Sequence, residues 1–213
     1  MSATARVKAA VSESASVDTF LSSLAPTQGP SASRPISRST TINGFFDYWL
    51  SLARPGGMPA ATDFAPAAIP RWLPNVAIIE LNSPTVTTYR LAGTAVVERM
   101  GHNPTGTNIL ELMPPERRVQ ASRDLYELVT RPCCFHMSYV NNYSSGRVAR
   151  VESIYMPLRP PRGGKPRIVC MNEFDATLAF RENRRRTTII ADVDEITWLD
   201  VGHGTPGVSQ PRP

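Results

Sequence analysis

Cysteines are the residues with the most conspicuous chemistry in this chain of 213 residues. Cys133 and Cys134 are adjacent and Cys170 stands apart, so the CxxC spacing of redox and zinc sites is missing. Neighbouring side chains on a strand point to opposite faces, and the adjacent thiols are therefore not expected to cooperate. Redox sensing would need an exposed thiol with a lowered pKa. We interpret all three cysteines as small buried residues and keep redox activity as the alternative.

The spacing of the histidines and the absence of known catalytic motifs argue against a metal site and against an enzyme. His102, His136 and His203 could ligate haem or a metal, but no two of them have a ligand spacing such as HxxxH. The sequence also lacks the GxSxG, P-loop, HExxH and glycine-rich dinucleotide motifs. We therefore expect no cofactor, no metal and no catalytic residues.

Charge and hydropathy exclude two classes of partner. The chain carries 23 basic and 18 acidic residues, a net charge of +5, and the excess is spread thinly along the sequence. The run Arg184-Arg185-Arg186 stands near Glu182 and lacks the aromatic side chains of a nucleic-acid platform. No apolar stretch approaches the ~20 residues that cross a bilayer, and the first residues lack the apolar core of a signal peptide. We predict a cytoplasmic protein that binds no nucleic acid and does not insert into a membrane.

The N-terminal part divides into a polar tail and a helix. Residues 1–39 are rich in Ser, Ala, Thr and Pro, a composition typical of disordered segments. Apolar side chains at helical spacing then predict a helix over residues 41–54. Its aromatic residues Phe45, Phe46 and Trp49 must be buried against something, and we take them as candidate interaction residues.

The remainder predicts an α+β domain with a five-stranded antiparallel sheet and flanking helices. Strand-like runs are separated by turn signals and by two helical segments. The predicted elements are strands at 76–81 and 86–91, helices at 95–100 and 116–130, and strands at 133–142, 147–158 and 167–173. We place the domain at residues 40–176. A charged extension at 177–213 follows it and is expected to be partly disordered.

Two strands, then helices, then a three-stranded meander are the arrangement of a PAS-type sensory domain, and short motifs strengthen this resemblance. In chain order they are Trp49-Leu50, Met58-Pro59, Phe64-x-Pro66, Pro70-Arg71-x-Leu73-Pro74, Tyr89-Arg90-Leu91-x-Gly93-Thr94, Gly101, Thr105-Gly106 and Met156-Pro157-Leu158. Over residues 41–175 the chain resembles a bacterial PAS-like family, formerly a domain of unknown function, that is common in alphaproteobacteria. The resemblance implies a single PAS-like domain, and some members are similar to cytoplasmic signalling proteins that affect cell-cycle control and polar localisation. It supplies no catalytic or ligand-binding residues. Gly93 is expected to adopt a positive φ or to allow a close backbone approach.

An apolar set of residues defines the candidate ligand pocket. Between the sheet and the helices, such residues form either a filled core or a small cavity for an apolar or aromatic metabolite. The set consists of Tyr89, Leu91, Val97, Leu110, Phe135, Met137, Tyr139, Ile154, Met156, Val169 and Met171.

These observations predict a non-catalytic signalling module that binds a protein partner and is gated by a small apolar ligand. Occupancy would change how the helix at 41–54 packs on the sheet. Besides a different protein, the predicted binding partner is a second copy of the chain, which would form a homodimer through that helix. Two alternatives stay open: a sensor that binds haem or flavin, and an uncharacterised enzyme with a scattered site. The enzyme alternative is tested by mutating Tyr89, Arg90 and Glu152 together and measuring activity.

Overall fold

A six-stranded antiparallel sheet organises the residues that the computed structural model describes, which are 37–52, 57–182 and 186–206. Its strands are β1 (Val76–Ser83), β2 (Val86–Ala92), β3 (Cys133–Asn142), β4 (Arg147–Leu158), β5 (Arg167–Phe180) and β6 (Thr188–Asp200), in the spatial order β2-β1-β5-β4-β3-β6. The described ranges also hold the helices α1 (Thr40–Leu52), α2 (Thr94–Met100) and α3 (Arg118–Thr130). Of the tail predicted to be disordered, residues 1–39, residues 1–36 lie outside these ranges, while residues 37–39 are described and lead into α1.

The prediction of five strands is wrong, because a sixth strand forms within the segment that the sequence assigned to a charged extension. β6 pairs with β3 from Cys133 opposite Asp200 to Asn142 opposite Thr188. It is an edge strand of the sheet; its Ile190 and Val193 pack against the interior, whereas acids such as Asp194 and Glu195 are exposed. Those acids make the segment resemble a solvated tail. β5 also continues past its predicted end to Phe180, paired with β4.

Strand register divides the interior into two cores on opposite faces of the sheet. Phe135 lies opposite Tyr155, and both belong to the core covered by α2 and α3, here called the α3 face. His136 lies opposite Ile154, whose side chain belongs to the core covered by α1, here called the α1 face. Cys133 packs in the first core and Cys134 in the second, so the prediction that the adjacent thiols point apart is confirmed.

The α1 face is tightly filled by aromatic side chains. Ser39 caps α1, because its Oγ accepts a hydrogen bond from the Ile42 N–H at 3.0 Å. Phe46 and Trp49 have no exposed surface, and their rings stack with centroids 6.3 Å apart. The Trp49 Nε1–H donates to the Pro157 carbonyl at 3.2 Å, so the indole is both buried and hydrogen-bonded.

A proline-rich connector over residues 58–75 completes the α1 face. Its side chains Phe64, Ile69 and Trp72 pack in the same core as α1. A Cβ added to Gly93 would lie 2.2 Å from the Leu73 carbonyl oxygen, so this glycine allows a close backbone approach rather than a positive φ. The connector is thereby held against the start of α2.

The α3 face is covered by helices with standard end signals. Pro115 begins a 3₁₀ turn, Pro115–Arg117, that leads directly into α3. Leu125, Leu128 and Val129 of α3 face the sheet and are buried. α2 ends at Gly101, whose φ of 76° is in the left-handed region.

Candidate functional site

A cavity of about 210 Å³ lies on the α3 face, between α3, the sheet and β6. Its apolar walls come from four parts of the chain: Ile109 and Met113, Ala121 and Leu125 of α3, Phe135, Met137 and Tyr155 of β3 and β4, and Ile190, Val193 and Ile196 of β6. Four further residues of the segment leading into α3 and of α3 itself give it a polar rim: Glu116, Arg117, Gln120 and Asp124. An apolar cavity of about 150 Å³ is sufficient to bind benzene.

Aromatic rings form the floor of the cavity. The rings of Phe135 and Tyr155 stack with centroids 4.7 Å apart and an interplanar angle of 29°. Trp198 of β6 meets the Phe135 ring edge-on, at 5.2 Å and 70°. Both geometries are favourable for aromatic pairs, so the floor is a rigid apolar surface. Met113 and Met137 add flexible, polarisable side chains beside it.

β6 forms the outer wall and is irregular where it does so. Its pairing with β3 shifts register between Ser138 and Tyr139 and again between Val140 and Asn142. Within the second irregularity Ile190 has a φ of 50°, a strained conformation for a β-branched residue. The Ile190 N–H donates to the Asn141 Oδ1 at 2.9 Å, which holds the strained residue in place. The cavity wall therefore contains a locally strained segment.

Charged groups at the rim are unevenly paired. The Arg117 guanidinium contacts the Asp192 carboxylate of β6 at 3.2 Å. The Asp124 carboxylate accepts a hydrogen bond from the Gln120 Nε2–H at 2.8 Å. Burial raises the pKa of Asp124, and the Glu127 charge adds to the shift while the Gln120 hydrogen bond opposes it. Asp124 is thus a half-buried carboxylate without a cationic partner among the described contacts.

A tyrosine network lies next to the cavity, around a smaller space of about 30 Å³. The Tyr139 hydroxyl is 2.8 Å from the Ser153 hydroxyl, which donates to the Asn172 Oδ1 at 2.9 Å. Burial raises the pKa of Tyr89, Tyr139 and Tyr155, so their hydroxyls stay protonated at neutral pH. Tyr155 borders both spaces and joins the network to the cavity floor.

The structure places the predicted pocket residues on both faces of the sheet. Phe135 and Met137 line the cavity, and Tyr89 and Tyr139 line the smaller space. Leu110 packs in the core of the α3 face, while Leu91 and Val97 are half-buried. The others pack beneath α1, because their strand positions are offset by one residue from the cavity row: Ile154, Met156, Val169 and Met171.

Sequence reasoning missed several cavity residues. Tyr155 lies opposite Phe135, so it would follow from the register of β3 and β4 had that register been known. Val193 and Ile196 lie on β6, the strand that was not predicted. Their only sequence signal is a run rich in β-branched residues between Thr187 and Leu199.

The predicted interaction residues are covered by the chain's own sheet. Phe45, Phe46 and Trp49 have no exposed surface and belong to the core of the α1 face. Their aromatic stripe therefore has an intramolecular partner. In the structure as described, these side chains are not presented to a second molecule.

A polar cluster connects the start of α1 to the sheet. The Ser37 hydroxyl donates to the Glu152 Oε2 at 2.6 Å, and the same oxygen lies 3.4 Å from the His136 Nε2. Ser39 donates to Glu173 on the neighbouring strand. His136 is only 3% exposed and stands between the cavity residues Phe135 and Met137 on β3. His136 thus connects the strand of the cavity floor to Glu152, the hydrogen-bond partner of Ser37 just before α1.

Groups that could hold a metal or react as nucleophiles are scattered or buried. Among the described residues, no cluster of three His, Cys, Asp or Glu side chains has the geometry of a metal site. Burial raises the pKa of Cys133 to about 12 and also raises the pKa values of Cys134 and Cys170. No helix within the described ranges is long and apolar enough to span a membrane.

Comparison with known proteins identifies the central part of the chain. A family model described as PAS domain matches residues 37–171. Comparison with curated proteins finds no match. The family match begins just before α1 and stops within β5. The cavity floor and α3 therefore lie inside the match, while the wall formed by β6 lies outside it.

Proposed function

We propose, since this chain belongs to the PAS domain family, that it is a sensory module that binds a small apolar ligand on the α3 face. Domains of this family are in general non-catalytic sensory and signalling modules. The observation that carries the proposal is the cavity of about 210 Å³ with apolar walls. A packed core leaves few voids larger than a water molecule, so a space of this size is suited to a ligand.

The same strands connect the proposed ligand to α1. Phe135 and Met137 would contact the ligand, and His136 between them faces the opposite side of the sheet. A displacement of β3 would move His136 against Glu152 and change the hydrogen bond that Glu152 accepts from Ser37. We propose that occupancy thereby shifts how the first turn of α1 is held on the sheet.

For a change in α1 to act as a signal, another protein must bind the changed form. We propose that this partner is a signalling protein in the cytoplasm. The side chains Phe45, Phe46 and Trp49 would reach it only if α1 moved away from the sheet, because they are fully buried. A pull-down with the full-length chain, with and without ligand, tests this step. Equal capture in both states would contradict ligand gating.

Two alternatives from the sequence have distinct tests. A bound haem or flavin would colour the purified protein, so a visible absorption spectrum decides for or against it. The described residues that line the cavity include no histidine or cysteine to ligate a haem iron. The enzyme alternative is centred on Tyr89, Arg90 and Glu152, but Arg90 is exposed and Glu152 faces α1. These placements favour the sensory module.

Binding is tested with toluene, a neutral apolar probe. We expect toluene to raise the melting temperature of the full-length protein, because a ligand that binds only the folded state stabilises it. Ala121→Phe places a ring inside the cavity and should abolish the shift. Ala176→Phe, on the half-buried end of β5 and away from the cavity, is the matched control. A toluene shift that survives in Ala121→Phe would overturn the proposed site.

Transmission is tested by hydrogen exchange. Saturating toluene should change the exchange of amides in residues 37–43, at the start of α1. Glu152→Gln should keep toluene binding but reduce that change, because it weakens the contact with Ser37 and His136. Unchanged exchange at α1 in the toluene-bound wild-type protein would show that the cavity does not communicate with this helix.

A further inference from the structure

The rim of the cavity indicates which head group its ligand carries. We propose that the ligand is an arylalkylamine, a molecule with one aromatic ring on a short chain that ends in a primary ammonium group. This inference rests on the proposed ligand-binding function and adds the chemical class of the ligand. It is carried by the charges of Glu116, Arg117 and Asp124 and by the rings on the cavity floor.

Negative charge is in excess at the rim although the whole chain has a net charge of +5. Arg117 is the cation that lines the cavity, and it is already paired with Asp192 at 3.2 Å. Asp124 receives a hydrogen bond from the neutral Gln120 amide, and Glu116 forms no ion pair or side-chain hydrogen bond with the described residues. Two carboxylates are therefore left at the opening without a cation.

Asp124 is the carboxylate best placed to bind an ammonium group. It lines the cavity from α3, one turn beyond Gln120, and is half-buried. Its Oδ1 accepts one hydrogen bond, which leaves further acceptor positions on the carboxylate. Its pKa is raised by burial and by Glu127, and a ligand cation would remove that penalty.

The walls determine the apolar part of the ligand. The stacked pair Phe135–Tyr155 offers an aromatic floor, and Met113 and Met137 offer sulfur contacts to a ring. A cavity of roughly 150 Å³ holds benzene. The volume here is about 210 Å³, so there is additional space for a short chain attached to the ring. A single ring with a short side chain fits this space.

Other head groups meet less favourable surroundings. A carboxylate would face Glu116 and Asp124 and would have to draw Arg117 away from Asp192. An alcohol could donate to Asp124 but would not neutralise its charge. The rim therefore ranks an ammonium group first, a hydroxyl second and a carboxylate last.

Three probes with the same ring and chain test this ranking: phenylethylamine, phenylethanol and phenylpropionate. Isothermal titration of the full-length protein at neutral pH and low salt gives their affinities. We expect the amine to bind about three- to tenfold more tightly than the alcohol, in line with a partly exposed charge-assisted hydrogen bond. We expect the carboxylate to bind more weakly than the alcohol.

Asp124→Asn keeps the shape and removes the charge. It should abolish the preference for the amine over the alcohol and leave phenylethanol affinity within about twofold of wild type. Glu98→Gln on α2 is the control, because Glu98 is an exposed acid that does not line the cavity. It should leave all three affinities unchanged. Far-ultraviolet circular dichroism shows that each variant is folded.

The outcomes separate the head-group inference from the proposed function. If toluene binds but the three probes bind equally, or the carboxylate binds best, the arylalkylamine assignment is overturned and the apolar site stands. If toluene and all three probes fail to bind, both proposals are overturned. An amine preference that survives in Asp124→Asn would also overturn the assignment, because Asp124 would then not be the carboxylate that recognises it.

Discussion

The two faces of the sheet are built from the same strands but differ in how the helices that cover them are packed. On the α1 face, Phe45, Phe46 and Trp49 are fully buried against the sheet, and the open space beside them is lined by polar side chains such as His136 and Glu152. On the α3 face, the helix stands away from Phe135 and Tyr155 and leaves a cavity of about 210 Å³. The comparison shows an aromatic core beneath α1 and an apolar cavity beneath α3, the space in which we propose that a ligand binds. Alternate residues of β3 point to these two faces.

The outer wall makes the second difference between the faces. The α1 face consists mainly of residues within the family match, which covers residues 37–171. The outer wall of the α3-face cavity is formed by Ile190, Val193 and Ile196, which follow that match. β6 thus lies outside the part of the chain that the family model matches. It lines one side of the cavity and supplies Asp192, which forms an ion pair with Arg117.

The largest expected effect concerns the alkylation rates of two cysteine thiols. Cys133 lies on the α3 face and Cys134 on the α1 face. Burial raises the pKa of Cys133 from its ordinary value of 9.0 to about 12, which lowers its thiolate fraction about a thousandfold. Cys134 on the α1 face also has a raised pKa. We expect iodoacetamide to alkylate Cys133 about a thousandfold more slowly in the native protein than in urea, and Cys134 to be slowed as well. Mass spectrometry of timed samples measures each rate.

The two rates also compare the faces. If the α3 face opens more readily than the α1 face, Cys133 reacts before Cys134. Toluene should slow the Cys133 reaction and leave Cys134 unchanged, because only Cys133 shares a core with the cavity. Alkylation of native Cys134 as fast as of the unfolded chain would contradict the closed packing of the α1 face.

The second effect is the loss of a large side chain from the filled face. Trp49→Ala should lower the free energy of unfolding by about 3–5 kcal/mol, because it removes a fully buried indole and leaves a void. Ile196→Ala on the cavity wall should cost less than about 1 kcal/mol, because that side chain is 41% exposed. Urea unfolding followed by fluorescence or circular dichroism measures both. Equal losses would remove the difference in packing between the faces.

Much of this architecture could be predicted from the sequence, because local patterns determine it. The aromatic spacing of α1 predicted a buried helix, and the β3–β4 hairpin was predicted with the bounds that the structure shows. Gly101 after α2 and Pro115 before α3 marked helix ends through their backbone preferences. The PAS-like resemblance rested on such local motifs, and the family match confirms it.

The cavity depended on information that local patterns do not hold. Phe135 and Met137 were included, but Ile154 and Met156 were grouped with them because the register between β3 and β4 was unknown. β6 was missed because its outward acids resemble a solvated tail. The shape of the space depends on how far α3 stands from the sheet, which is a property of long-range packing.

The third effect compares added volume on the two faces. Cys134→Phe inserts a ring into the filled α1 face and should destabilise the protein by about 1–3 kcal/mol. Ala121→Phe inserts a ring beside the cavity and should change stability by less than about 1 kcal/mol. Urea unfolding of the two variants gives the difference. Comparable destabilisation would show that the α3 face has no room for a ring, in which case it has none for a ligand.

The smallest expected effect is on the free energy of unfolding when one carboxylate on each face is replaced by its amide. The two replacements are expected to change it in opposite directions. Glu152 on the α1 face accepts a hydrogen bond from Ser37 and contacts His136. Glu152→Gln should therefore lower the free energy of unfolding by about 0.5–1.5 kcal/mol. Asp124 on the α3 rim has a pKa raised mainly by burial, and Asp124→Asn should raise the free energy of unfolding by a few tenths of a kcal/mol.

The sign for Asp124 follows from proton linkage. Its folded pKa lies above the unfolded value, so the folded protein holds its proton more tightly and loses stability as pH rises through the folded pKa. Asparagine does not ionise, so the gain in Asp124→Asn should be present at neutral pH and disappear below the ordinary value of 3.8. Thermal unfolding at both pH values measures it. Saturation with phenylethylamine should reverse the order, because the bound ammonium stabilises the ionised Asp124 of the wild-type protein and not the asparagine. A gain that is independent of pH and of the amine would place the Asp124 carboxylate outside the ligand site.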